Sequence, residues 1–132
     1  MTGDYPKFSP PAVLRNSFIQ SVLASVKFRA RGYNAMSAAA KEMIITTTRS
    51  GPRLQGFYSP QPDDAFRPLA LLLHGWEGSA DSTYILCTGK YLYEQGYAVF
   101  RLNLRDHVES HHLNPGLFFG TIFDEVFDAV RQ

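Results

Sequence analysis

The run "LALLLHGWEGS", residues 69 to 79, limits the fold more than any other stretch of this chain. Five apolar residues in succession offer no polar face. A strand that reads this way is covered on both sides, as strands of parallel sheets are. Parallel neighbours cannot be joined by a tight turn; they need a crossover segment. The downstream sequence supplies one. Residues 82 to 95 predict a helix, with Ile85, Leu86 and Leu92 inward and Gly96 as its C-terminal stop. "YAVFRLNL", residues 97 to 104, predicts the next strand. Strand, helix and strand within about 36 residues make a βαβ unit, so the two strands should be parallel. The fold class is α/β.

The flanking segments fit around that unit. "KEMIITTTRSGPRLQGFYSP" carries β-branched residues on either side of a turn signal at Ser50-Gly51-Pro52, and predicts a hairpin. "QPDDAFRP" reads as a polar surface loop. Near the N-terminus, Leu14, Phe18, Ile19, Val22, Leu23 and Val26 recur at helical spacing from residue 11 to 28. That helix is expected to bury its apolar stripe. Residues 30 to 40, "ARGYNAMSAAA", are ambiguous. The stretch from Arg105 to Gly116 reads as a polar loop without helix. A last amphipathic helix over 117 to 132 places Phe119, Ile122, Phe123, Val126, Phe127 and Val130 on one side. One domain of 132 residues is expected, with an N-terminal helical segment over 1 to 45 and the start of the sheet over 46 to 132.

Composition narrows the function classes. Thirteen basic and twelve acidic residues leave a net charge of +1, so nothing points to nucleic acid. No apolar run reaches the roughly 20 residues that span a bilayer. The N-terminus lacks a basic region followed by an apolar one, so no signal peptide is expected. A single cysteine, Cys87, excludes an internal disulfide and fits a reducing compartment. A cytoplasmic protein is expected. Cys87 itself reads as a small hydrophobe in the helix, having no paired base.

The loop after the first parallel strand carries the chemistry. Ligands in open α/β sheets bind at the C-terminal ends of the strands, and His74-Gly75-Trp76 sits at such an end. Glycine allows a sharp turn there without a Cβ clash, so that backbone N–H groups face the crevice. N–H groups aimed at a developing oxyanion serve acyl transfer. The competing reading is a plain glycine-rich turn. Phosphate binding is the weaker alternative, because "GSADSTYILCTGK" has neither P-loop nor dinucleotide spacing. His107, His111 and His112 with Asp106 invite a metal reading. No second cluster completes four ligands, so a polar loop rimming the crevice is favoured, with no metal and no cofactor. Trp76 reads as a pocket wall or as a buried side chain.

Together, the hairpin, "LLLHGWEGS", the helix, "GYAVFRLNLRDH" and the closing amphipathic helix resemble the N-terminal half of an α/β-hydrolase. The long N-terminal segment and "RLNLRDHVESHHLN" are most similar to the YheT-like branch of esterase-like serine hydrolases. The resemblance spans roughly residues 10 to 132. It implies a partial α/β-hydrolase fold: the N-terminal hairpin and βαβ unit with flanking helices, the later strands absent. It also implies that Trp76 gives one oxyanion N–H from its backbone while His74 and Gly75 shape the turn. Many relatives carry D-x-R-G-x-G-x-S after the fourth strand. Here Asp106 and Val108 stand where the two glycines would, and a β-branched residue resists φ > 0, so the loop is expected to differ.

The family's nucleophile lies in a G-x-S-x-G elbow, followed by an acid and a histidine. No G-x-S-x-G occurs in these residues. Ser79, in the loop entering the helix, is a poor nucleophile. No catalytic residue is therefore assigned within the chain, and these residues alone are expected to be inactive. Two functions follow as expectations. One is the N-terminal portion of a serine hydrolase acting on a small-molecule carboxylic ester. The other is a non-catalytic scaffold that self-associates or pairs with a complementary C-terminal half.

Overall fold

A computed structural model describes residues 9–26, 32, 34–47, 51–63, 66–116 and 123–132. Four strands form one sheet: β1 (Lys41–Thr46), β2 (Arg53–Ser59), β3 (Leu69–Leu73) and β4 (Ala98–Leu102). Their order is β1-β2-β4-β3. β1 and β2 are the expected antiparallel hairpin, with Met43 opposite Gly56. β2 also runs antiparallel to β4, and β3 pairs parallel with β4, Leu71 opposite Phe100. The sheet thus begins at Lys41, ahead of residue 46.

Around the sheet lie α1 (Ser17–Ser25), α2 (Ala35–Ala38), α3 (Thr83–Glu94) and α4 (Phe123–Val130). Period-2 alternation splits the strands between two layers. Leu54, Phe100 and Leu102 pack with Ala129 of α4, and Leu71, Val126 and Val130 join them. On the other face, Gly89 of α3 approaches Met36 of α2 and Leu72 of β3 so closely that a Cβ there would lie 2.5 Å from the Met36 sulfur. α3 ends as its glycine requires. Gly96 takes φ +87°, its N–H reaches Tyr93 O at 3.0 Å, and the N–H of Tyr97 reaches Leu92 O at 3.1 Å. That double closure is a Schellman motif, which readily accepts glycine in the left-handed position. It delivers the chain directly into β4.

The terminal helices depart from the expected pattern. The first opens as a 3-10 turn, Ala12–Arg15, before Asn16 caps α1 by accepting from Phe18 N at 2.9 Å. Its stripe is not buried: Phe18, Val22, Leu23 and Val26 are exposed. Residues 27 and 28 lie outside the described residues, as do Phe119 and Ile122. α4 keeps Val126 and Val130 inward but leaves Phe123 and Phe127 exposed, and turns Glu125 and Asp128 in. The physical reason is an ion pair. Glu125 meets Arg105, which donates through Nε at 3.2 Å and also through Nη2. The segment after β4 is not free of helix either; Val108–Leu113 forms a 3-10 helix.

Candidate functional site

The C-terminal ends of β3 and β4 lie side by side, and the loops leaving them are tied together. His74 is 5% exposed, directly after β3. Its Nε2 accepts the backbone N–H of Leu104 at 3.0 Å, and its Nδ1 lies 2.8 Å from Gly75 O. An N–H can only donate, so Nε2 must hold its lone pair and Nδ1 the proton. His74 is therefore a neutral imidazole in one tautomer. Burial pushes its pKa below the usual histidine value; the bond to Gly75 opposes this, and the neighbouring His107 adds to it. The His107 ring sits 4.7 Å from that of His74, and Trp76 meets His107 edge-on at 6.2 Å.

The loop itself is a four-residue turn. Gly78 N–H donates to Gly75 O at 3.0 Å, and Glu77 takes φ +54°. A positive φ at the third position is the signature of a type II turn, where glycine is usual. A non-glycine residue held there costs roughly 1–2 kcal/mol. The steric demand for glycine lies at Gly78, not at Gly75. A Cβ on Gly78 would stand 2.9 Å from Gly75 O and 3.1 Å from the His74 Cβ, whereas one on Gly75 would meet only Tyr84 Oη at 3.7 Å. The Gly75 backbone is not left-handed. The left-handed position of the turn is Glu77, and the residue that must lack a Cβ is Gly78, so neither demand falls on Gly75.

Trp76 is not buried; it is 75% exposed as the second residue of the turn. Ser79 Oγ accepts the Asp81 N–H at 3.1 Å, a local turn contact. The segment after β4 reaches φ +61° at Asp106, one of the two positions expected to alter this loop. Aspartate tolerates the left-handed region better than most residues. Val108 needs no positive φ, because it begins the 3-10 helix. Asp106 pairs with His111 Nδ1. Among the described residues no group of three or more His, Cys, Asp and Glu could hold a metal ion.

Three residues that sequence reasoning passed over complete the loop. Tyr84, in the first turn of α3, accepts the Gly75 N–H at 2.7 Å. Asn103 accepts the Ala80 N–H at 2.7 Å, and Arg101 donates to Ala80 O at 2.8 Å. The signal available was polarity: an arginine and an asparagine in a strand otherwise expected to be covered.

The two-layered cover of a mixed sheet, with a parallel pair whose ends carry this loop, defines an α/β architecture. The fold is similar to that of a solved esterase, Pf2001 of Pyrococcus furiosus, with a TM-score of 0.56 and 22% identity. The match covers 70% of this chain and 34% of the esterase, so the chain spans about a third of that protein's length. No protein-family model matches the sequence, and no curated protein matches it. Among the described residues no helix is long and apolar enough to cross a membrane.

Proposed function

We propose that these residues form the N-terminal portion of a serine α/β-hydrolase acting on carboxylic esters, in the YheT-like branch. The loop His74-Gly75-Trp76 gives it half of an oxyanion hole. The observation that carries this reading is the turn closed from Gly75 to Gly78 at the C-terminal end of parallel strand β3, anchored to the end of β4 through His74 and Leu104. The N–H of Gly75 is engaged by Tyr84, and the resemblance to the α/β-hydrolases gives the oxyanion donation to the backbone amide of Trp76. One such donor is worth about 3 kcal/mol in an acyl-transfer transition state. The likeness to an esterase fold supports the class. The nucleophile would come from a G-x-S-x-G segment that these residues do not contain.

The test pairs two polypeptides. Residues 1–132 alone should show no hydrolysis of a p-nitrophenyl ester above blank and no labelling by a fluorophosphonate probe. A longer polypeptide, in which this segment is followed by a G-x-S-x-G strand-turn-helix, should show both. Trp76→Ala in it should retain substantial activity, because the backbone donates. Stoichiometric labelling of any serine within residues 1–132 would overturn the reading.

A second reading is favoured by one specific feature. β3 pairs only with β4 among the described residues, and Leu69 and Leu73 are exposed along it. The segment would then serve as a scaffold that pairs with itself or with a complementary chain, with no chemistry of its own.

A further inference from the structure

A charged residue in the middle of a covered strand needs a reason. Arg101 is 3% exposed, in a strand whose five residues are all buried. A buried guanidinium has lost its water, and apolar residues of similar size usually replace such a group at no loss of stability. What Arg101 gains instead is one peptide. Its Nη1 donates to Ala80 O at 2.8 Å and to Asp81 Oδ1 at 2.7 Å, and its plane lies 5.1 Å over the Phe57 ring. Its Nε finds no partner among the described residues.

The preceding peptide, Ser79–Ala80, is held as well. Ala80 is buried, and its N–H goes to Asn103 Oδ1. Asn103 is fixed in turn, with Nδ2 donating to Gln55 Oε1 at 2.7 Å and its own N–H to Gln55 O at 2.8 Å. Gln55 Nε2 then donates to Glu42 Oε1 at 2.6 Å. A polar relay runs from β1 across β2 and β4 and ends on the loop. Arg101 and Asn103, two residues apart, point to the same face of β4, so together they hold both the N–H and the C=O of Ala80.

We infer that Arg101 and Asn103 are positioning residues: they grip Ala80 and so hold the His74–Ala80 loop in register with the sheet. The Gly75–Gly78 turn lies within that loop, two residues before Ala80. Its functional meaning rests on the oxyanion reading above; the grip itself does not.

Amide exchange and Trp76 emission on the 132-residue chain test it. Trp76 is the only tryptophan, so its emission reports the loop without background. Arg101→Met removes the grip and the buried charge together. The Gly78 and Ala80 amides should exchange about tenfold faster, and Trp76 emission should shift, while the amides of Phe100 and Leu102 keep their protection. Asn103→Ala should release the same two amides and leave those of Phe100 and Leu102 unchanged. Asn103→Asp keeps the accepting oxygen and should restore Ala80 protection. If loop and sheet lose protection together, the residues are parts of the sheet and the inference is overturned. Unchanged Gly78 exchange and Trp76 emission in both Arg101→Met and Asn103→Ala overturn it too. No ester is present in these measurements, so a failed grip and a failed hydrolase reading are separate results.

Discussion

His74 Nε2 accepts the backbone N–H of Leu104 across 3.0 Å, joining the end of β3 to the end of β4. That bond exists only while the imidazole is neutral. Burial lowers the His74 pKa, so at acid pH the folded chain takes up this proton less readily than the unfolded chain. The unfolded state then binds more protons, and by linkage stability falls as pH falls. The His74 contribution is complete above the ordinary histidine value of about 6.5, and is lost on descending from there through the lowered folded value. The limiting slope is about 1.4 kcal/mol per pH unit. His74→Gln keeps an acceptor near the Nε2 position and cannot titrate. Urea midpoints from pH 7.5 to 5 should fall less steeply in this variant than in the wild type. Parallel curves would show that His74 does not carry the effect.

The turn makes an asymmetric prediction about its two glycines. Gly78→Ala forces a Cβ against Gly75 O and the His74 Cβ, both of which are held, and should cost about 1–3 kcal/mol. Gly75→Ala meets only ordinary contact and should change stability by less than about 1 kcal/mol in either direction. Glu77→Gly relieves a left-handed side chain and should be neutral to stabilising by about 1 kcal/mol. Thermal unfolding of the three variants checks the order. Equal losses for Gly75→Ala and Gly78→Ala would mean the turn is not closed as described.

Arg105 and Glu125 bind the loop after β4 to α4, and the carboxylate is the more buried partner. Arg105→Ala leaves that carboxylate buried without its partner. The expected loss is about 3–5 kcal/mol. Adding Glu125→Leu should return most of it, because an apolar pair replaces a buried ion pair at little cost. The double-mutant cycle is read by urea unfolding. A double variant no more stable than Arg105→Ala alone would show that the arginine acts through packing instead of charge.

Local pattern exposed the sheet and half of the site. The hairpin and βαβ unit were legible because a β-branched run, a continuous apolar run, Gly51 and Gly96 are local signals, and the structure carries both left-handed glycines at φ +80° and φ +87°. The His74–Trp76 loop was legible for the same reason: an apolar run ends beside a glycine. The inward face of α4 was not. Phe123 and Phe127 satisfy the helical period as well as Val126 and Val130 do, and the choice between them is made by Arg105, 20 residues earlier. Gly78's role was hidden because the atoms it must avoid belong to the folded turn. Asn103, Arg101 and Tyr84 act through hydrogen bonds spanning 23, 21 and 9 residues, and no short-range rule reads those.

The open side of β3 carries the last prediction. β3 pairs with β4 alone among the described residues, so every second backbone N–H and C=O along it faces outward. Such an edge is usually blunted by a lysine, a proline or a bulge, and "LALLL" has none of these. Leu69 and Leu73 are 50% and 41% exposed, on the same side as Leu71, which packs toward α4. Phe123 and Phe127 of α4 and the stripe of α1 are exposed too. We therefore expect residues 1–132 to associate at micromolar concentration, by edge pairing of β3 or by capture of a complementary strand. Leu71→Lys is unsuitable as a probe, since Leu71 packs in the core. Leu73→Lys places a charge at the exposed end of the edge and should shift sedimentation toward monomer while leaving the unfolding midpoint nearly unchanged. A wild-type chain that sediments as a monomer at all concentrations, with outward β3 amides protected from exchange, would mean that the edge is covered within the chain and that nothing is left for a partner strand to pair with.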